Sequence, residues 1–180
     1  GSGLTLNAPF RTVKYACEYI GLTYDNDTIN TTIFIKTGIY KETLPIKVPR
    51  NCALVGDELR STVIMPDDTS LAQDMFHVNN GSGIRNMTLQ GLTGELGDPN
   101  IYFTKRPNAG AFVSLDPGTG PADTSVWITT KSCYVQNVTT FGTGCVGTKI
   151  DGSLHNGGNK SIVANDFTQV LNDGIGYWAL

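Results

Sequence analysis

The residues able to do acid–base or nucleophilic chemistry are few and scattered. His77 and His155 are the only histidines. His155 lies in Asp151-Gly152-Ser153-Leu154-His155, which places an aspartate, a serine and a histidine on one short stretch. A Ser–His–Asp relay draws its members from distant segments, because close neighbours on one loop rarely reach its geometry. A metal held by Asp151 and His155 is a second chemical reading. A polar loop tied by its own side chains is the plainer one. Asp67-Asp68 is the one adjacent aspartate pair. Paired carboxylates flank the scissile bond in glycoside hydrolases, but Met65-Pro66-Asp67-Asp68-Thr69-Ser70 is ordinary turn chemistry. His77, in Met75-Phe76-His77-Val78, alternates against Phe76 and Val78 and should face outward. Asp67, Asp68, Asp151 and His155 are therefore the candidates if there is catalysis. No catalytic residue, cofactor or metal site is assigned.

Aromatic residues offer different chemistry. Tyr102, Phe103, Trp127, Tyr134, Tyr177 and Trp178 could form a flat surface for a sugar or a partner chain. Packing inside the protein is the competing and favoured reading, since alternation must turn some of them inward. The fragments Gly81-Ser82-Gly83, Gly118-Thr119-Gly120 and Gly142-Thr143-Gly144 lack the strand-then-helix setting of a phosphate loop and read as turns.

These residues are positioned by many short elements. Phe10, Val13, Ala16, Cys17 and Ile20 follow helical spacing, with Asn7 as a cap, Pro9 in the first turn and Gly21 at the end. This predicts one helix over 8–21, after a tail at 1–7. Short apolar runs follow at 32–36, 37–40, 44–49, 52–56, 62–66, 75–78 and 84–89, separated by Gly, Asn, Pro or Asp. Runs this short suit the flat faces of a solenoid, where each coil contributes a few residues per face. Asn86-Met87-Thr88-Leu89-Gln90-Gly91 aligns with Asn137-Val138-Thr139-Thr140-Phe141-Gly142, with one gap further on, and Asn165-Asp166-Phe167-Thr168 reads as a third copy. Asn tolerates the left-handed backbone of a sharp corner, and its amide can bond a stacked Asn in the next coil. A Gly- and Pro-rich stretch over about 94–124 reads as an excursion from the coils, interrupted by possible strands such as Ala111–Leu115.

Composition agrees. The 180 residues include 22 Thr, 21 Gly and 14 Asn, and charged residues are only 16%. A turn-rich β protein fits; a charge-rich disordered tail or a coiled coil does not. The net charge of −3 gives no basic face for nucleic acid. No apolar run approaches the ~20 residues of a membrane helix, so membrane insertion is not expected. The start, Gly1-Ser2-Gly3, has neither the basic nor the apolar region of a signal peptide and reads as a scar or an internal cut. Cys17, Cys52, Cys133 and Cys145 form no C-x-x-C pair and read as buried thiols, with a Cys133–Cys145 pairing left open. The apolar end at Tyr177-Trp178-Ala179-Leu180 suggests that more chain, or another chain, covers it.

The run Thr32-Ile33-Phe34-Ile35-Lys36-Thr37-Gly38-Ile39-Tyr40, with Leu44-Pro45-Ile46, Val55-Gly56-Asp57 and Ser61-Thr62-Val63-Ile64, resembles the first coils of pectin-lyase-like right-handed β-helix proteins. The stretch from Ser125 to Ala179 is similar to repeats in virion structural proteins of T4-like marine cyanophages. The resemblance implies an all-β chain, a single-stranded right-handed parallel β-helix over 8–180 with a short N-terminal capping α-helix. It implies a tail-fibre, tailspike or baseplate component, located in the virion and assembled in the host cytoplasm. Its partners would be copies of itself in a homotrimer, other virion proteins and a host polysaccharide. Enzymes share this fold, so fold does not decide function. A polysaccharide lyase or hydrolase is the alternative, although no arginine lies beside an acidic cluster as a lyase would require.

Overall fold

A computed structural model describes residues 1–24, 28–69, 74–79, 81–93, 111–115, 133–143, 146–150, 162–172 and 175–179. Among the described residues one helix, α1 (Val13–Thr23), precedes twelve strands. In chain order these are β1 (Thr31–Ile35), β2 (Gly38–Glu42), β3 (Ile46–Val48), β4 (Cys52–Gly56), β5 (Thr62–Pro66), β6 (Phe76–Val78), β7 (Gly83–Thr93), β8 (Ala111–Leu115), β9 (Cys133–Thr143), β10 (Val146–Ile150), β11 (Ile162–Asn172) and β12 (Ile175–Ala179). The protein is thus mostly parallel β-sheet with a small N-terminal helix.

All ten strand pairings among the described residues are parallel. No antiparallel hairpin joins consecutive strands there. A seven-stranded sheet has the order β1-β4-β7-β5-β2, with β9 on β7 and β11 on β9; a five-stranded sheet runs β12-β10-β8-β6-β3. The long strand β7 explains the first order. Its beginning pairs with β4 (Leu54↔Ile84) and its later part with β5 (Ile64↔Leu89). One continuous strand therefore serves two faces, and the sheet curls where they meet.

Asn86 makes the bend. Its φ is +56°, and Asn137 has φ +50°. The register sets Met87 opposite Val138, so the two asparagines fall in line, and Asn137 Nδ2 donates to Asn86 Oδ1 at 2.9 Å. Short polar side chains accept this left-handed backbone more readily than other L-residues. Phe167 pairs with Val138 and Asn165 with Gln136, which puts Asp166, not Asn165, in line with Asn137. The third copy is thus shifted by one residue. The gap between the first two copies is a register irregularity between Gln90 and Thr93, at Gly91 with φ +86°. Gly56, at the end of the neighbouring β4, lies against Asn86: a Cβ there would sit 2.0 Å from the Asn86 carbonyl oxygen. The corner column admits only glycine at that level.

Inward residues stack on their own kind from strand to strand. Leu54, Ile84 and Val135 share one row and are fully buried; Ile64 and Leu89 make another, and Ile46, Phe76 and Val113 a third. A strand of three to five residues buries only two or three side chains, each stabilising by ~2 kcal/mol. Stacking lets these small contributions accumulate in one core. Thr140 continues the Ile64–Leu89 row with a fully buried hydroxyl that has no partner among the described residues.

The helix begins later than its sequence pattern predicts. It starts at Val13 rather than at 8, Thr12 rather than Asn7 caps it, and Gly21 lies inside it. The Thr12 hydroxyl accepts from Tyr15 N–H at 3.2 Å. The carboxylate of Glu42 takes the next two amides, Val13 N–H at 2.6 Å and Lys14 N–H at 3.1 Å. A strand residue therefore fixes where the helix starts. Val13, Ala16, Cys17 and Ile20 form the buried face as the spacing predicts. Phe10 precedes the helix and packs on Tyr15 and Tyr19, ring centroids 5.2 and 5.1 Å away.

Of the stretch 94–124, the structure describes Ala111–Leu115, which is a strand as its apolar run predicts; this β8 pairs with β6 on one side and β10 on the other, and the rest of the stretch lies outside the described residues. Cys17 and Cys52 are free, buried thiols. Cys133 Sγ donates to Asn79 O at 3.2 Å, and Cys145 lies outside the described residues. Among the described residues no helix is long and apolar enough to cross a membrane.

Candidate functional site

Of the four acid–base candidates, Asp67 and Asp68 can be placed. Both follow β5 in an exposed bend. Thr43 Oγ1 donates to Asp67 Oδ2 at 2.5 Å, and Asp67 N–H donates to Glu42 O at 3.0 Å. Asp67 is thereby engaged in joining the ends of β2 and β5. That is the role of a turn residue, with its carboxylate occupied by a neighbouring hydroxyl. Asp151 and His155 lie outside the described residues.

The carboxylate with the most unusual setting is one the residue pattern did not single out. Glu42 is 1% exposed and bonds the first amides of α1. Burial raises its pKa above the ordinary value, while the two amide bonds and Lys14 pull the other way. The available signal was alternation, since Tyr40 packs against the core and Glu42 is two residues further on. Its neighbours by sequence, Lys41 and Thr43, gave no hint of a buried acid.

Among the aromatic candidates, Tyr134 is half-buried on β9. It pairs in register with Gly83, and its ring occupies the space where a Gly83 Cβ would lie, 2.4 Å from that point. Burial raises the phenol's pKa and the Arg85 guanidinium lowers it. Tyr134 is thus largely a packing residue over a glycine. Tyr177 and Trp178 lie on β12, opposite Thr148 and Lys149. Tyr102, Phe103 and Trp127 lie outside the described residues. Among the described residues, the candidates Asp67, Asp68 and Tyr134 are not paired with one another in strand register. Among the described residues, no group of three or more His, Cys, Asp and Glu could hold a metal ion.

The register does assemble a row that the linear sequence hides. On the five-stranded sheet, Lys47 pairs with His77, His77 with Ser114, Ser114 with Lys149 and Lys149 with Trp178. Ile46, Val48, Phe76 and Val78 are buried on either side of the first two positions. Lys47 is exposed and His77 partly so, and His77 Nε2 lies 3.1 Å from Asp74 Oδ2. A hollow of about 550 Å³ adjoins the Lys47 end, lined by Lys47, Arg50 and Glu18 among others.

Exposed apolar groups concentrate at the N-terminal end. Leu4, Leu6, Tyr15, Leu22, Ile29, Phe34 and Ile39 are all exposed. A cleft of about 620 Å³ lies there, between the first ten residues, α1 and β1. Lys36 Nζ stands 5.2 Å from the Phe34 ring centroid and 3.4 Å from Asp57 Oδ2. No family model, no curated protein and no solved structure matches this chain.

Proposed function

We propose that the two parallel sheets are the faces of a right-handed parallel β-helix capped by α1, and that this column is a structural segment of a phage tail fibre, tailspike or baseplate. One observation carries the reading: every strand pairing among the described residues is parallel, with like residues stacked from strand to strand. Each strand connects to a partner tens of residues away, as coils of a solenoid do. Such stacking uses the backbone amides and carbonyls along the axis, so opening one coil exposes the core of the next. A rod that resists bending and proteolysis is the mechanical product. The wording of residues 125–179, similar to cyanophage virion repeats, selects the tail apparatus among the many uses of such a rod.

The role would be a rigid, host-facing spacer that contacts glycan, assembled as a homotrimer with other virion proteins. An antibody against the chain should label the tail or baseplate of virions whose genome encodes it, seen by negative-stain microscopy. Label restricted to lysate and absent from particles would overturn the virion role. Light scattering should give three chain masses, and one chain mass would overturn the trimer. The enzyme alternative predicts turnover of acidic polysaccharides that is lost in Asp67→Asn, Asp68→Asn or Asp151→Asn. The hydroxyl bond at Asp67 supports a turn residue instead.

A further inference from the structure

We propose that the open edge of β1 takes up an extended peptide segment, which adds to the seven-stranded sheet as one further parallel strand and carries an acidic residue at its C-terminal end. The inference is independent of the tail-fibre reading and needs only the edge, the cleft beside it and Lys36.

Backbone geometry and charge carry the argument. β1 stands at one end of its sheet and pairs only with β4 among the described residues. Thr31 N–H donates to Asn51 O at 3.1 Å, and Asp57 N–H donates to Ile35 O at 2.9 Å. In a parallel ladder alternate residues bond to opposite sides. The amides and carbonyls of Thr32 and Phe34 therefore aim away from β4, and they have no partner among the described residues. They face the cleft of about 620 Å³, which all of β1 lines. The core row is incomplete at the same place. Leu54, Ile84 and Val135 are fully buried, but Ile33, the next member, is only half-buried. The helix does not complete the row, because α1 packs chiefly on β3, where Ile46 and Val48 are fully buried. An added strand supplies both wants: backbone groups for Thr32 and Phe34, and an inward apolar side chain over Ile33. Donors and acceptors at strand spacing select a peptide backbone over an acyl chain, which offers none. Charge fixes the direction. Lys36 is the only charged residue among those described that line the cleft, and it directly follows β1. A parallel segment ends beside it, so a carboxylate there is complementary; an antiparallel segment would bring its amino terminus instead. Asp57 bonds Lys36 at 3.4 Å, but an exposed pair of this kind holds weakly and the ammonium has further donors.

The test is fluorescence anisotropy of the purified chain with a labelled heptapeptide that alternates threonine with valine and ends in aspartate. This peptide should bind. The same peptide N-methylated at the amides that face β1 should bind at least tenfold more weakly, and so should one of equal composition with its valines in a block. Thr32→Pro removes an N–H that aims at the cleft and not at β4, a place where an edge strand accepts proline. It should weaken binding at least tenfold while circular dichroism stays that of the native chain. Lys36→Glu should weaken the aspartate-ended peptide at least fivefold and strengthen a lysine-ended one. Lys41→Glu, an equal charge change on β2, should leave both within twofold. If Thr32→Pro does not fold, the N-methylated peptide and Lys36→Glu decide. Absence of binding, equal binding of the N-methylated peptide, or an equal response to the two lysine variants would overturn the site. Two other occupants have their own signatures, and either overturns it as well. Laurate binding without peptide binding makes the cleft an acyl site. Self-association without peptide that Thr32→Pro abolishes gives the edge to a second copy. The virion role is tested separately, by particle labelling.

Discussion

Glu42 shows how much one side chain can decide. It ends a strand, lies buried, and bonds the first two amides of α1. Glu42→Ala would leave both amides without this acceptor and open a small void, at a cost of about 2 kcal/mol. Chemical denaturation should read that loss as a lower midpoint with an unchanged slope. Its proton linkage has a definite sign. Burial holds its pKa above the ordinary 4.5, so the folded chain binds this proton more tightly than the unfolded chain. Its contribution is fully present below 4.5, falls as pH rises to the raised value, and is level beyond. The stability difference between the native chain and Glu42→Gln, measured from pH 4 to 8, should carry that fall. A difference that grows in favour of the native chain as pH rises would contradict it. The thiols make a second case. Burial pushes Cys52 up to about 12 and Cys17 well above its usual value, so neither supplies thiolate at neutral pH. Iodoacetamide mapping by mass spectrometry should leave both unmodified in the native chain and modify both in denaturant.

Among the elements, the asparagine corner sets the geometry. Asn137 combines a left-handed backbone with an amide bond to Asn86 on the neighbouring strand. Asn137→Ala loses both advantages and should cost 1–2 kcal/mol, roughly one from backbone strain and up to one from the bond. Asn137→Gly accepts the backbone and should recover about half. Urea unfolding of the two variants checks the ordering; equal losses would show that the corner does not depend on backbone conformation. The corner was legible because Asn86-Met87 and Asn137-Val138 repeat in the sequence with the same polar-then-apolar order. The third copy was misaligned by one because Asn165 and Asp166 are adjacent and either can serve such a corner. Only the pairing of Phe167 with Val138 distinguishes them. The helix was misplaced at its start for a related reason: the residue that fixes its first turn lies 29 positions away from Val13.

For the whole molecule, stability should follow position in the stack. β4 and β7 are paired on both sides, whereas among the described residues β1 and β3 each have one strand partner. Hydrogen exchange should be slowest at Leu54, Ile84 and Leu89 and faster along β1 and β3. Leu54→Ala should cost 2–5 kcal/mol, as a buried residue between two stacked neighbours does, and should raise exchange in both adjoining strands, β1 and β7. A change confined to β4 would contradict a continuous core.

The sequence by itself determined the texture of this protein. Short apolar runs, turn residues between them, one amphipathic helix and an asparagine repeat are local features, and local sterics and alternation suffice to read them. It could not determine which residues stand beside one another across strands. Parallel pairing joins positions separated by irregular lengths of chain, and no local rule fixes those lengths. The tertiary structure therefore decided that Glu42 caps a helix, that Tyr134 lies over Gly83, and that Lys47, His77, Ser114, Lys149 and Trp178 form one row. Each is a product of register, which is set by the sum of many inward contacts and not by any segment alone.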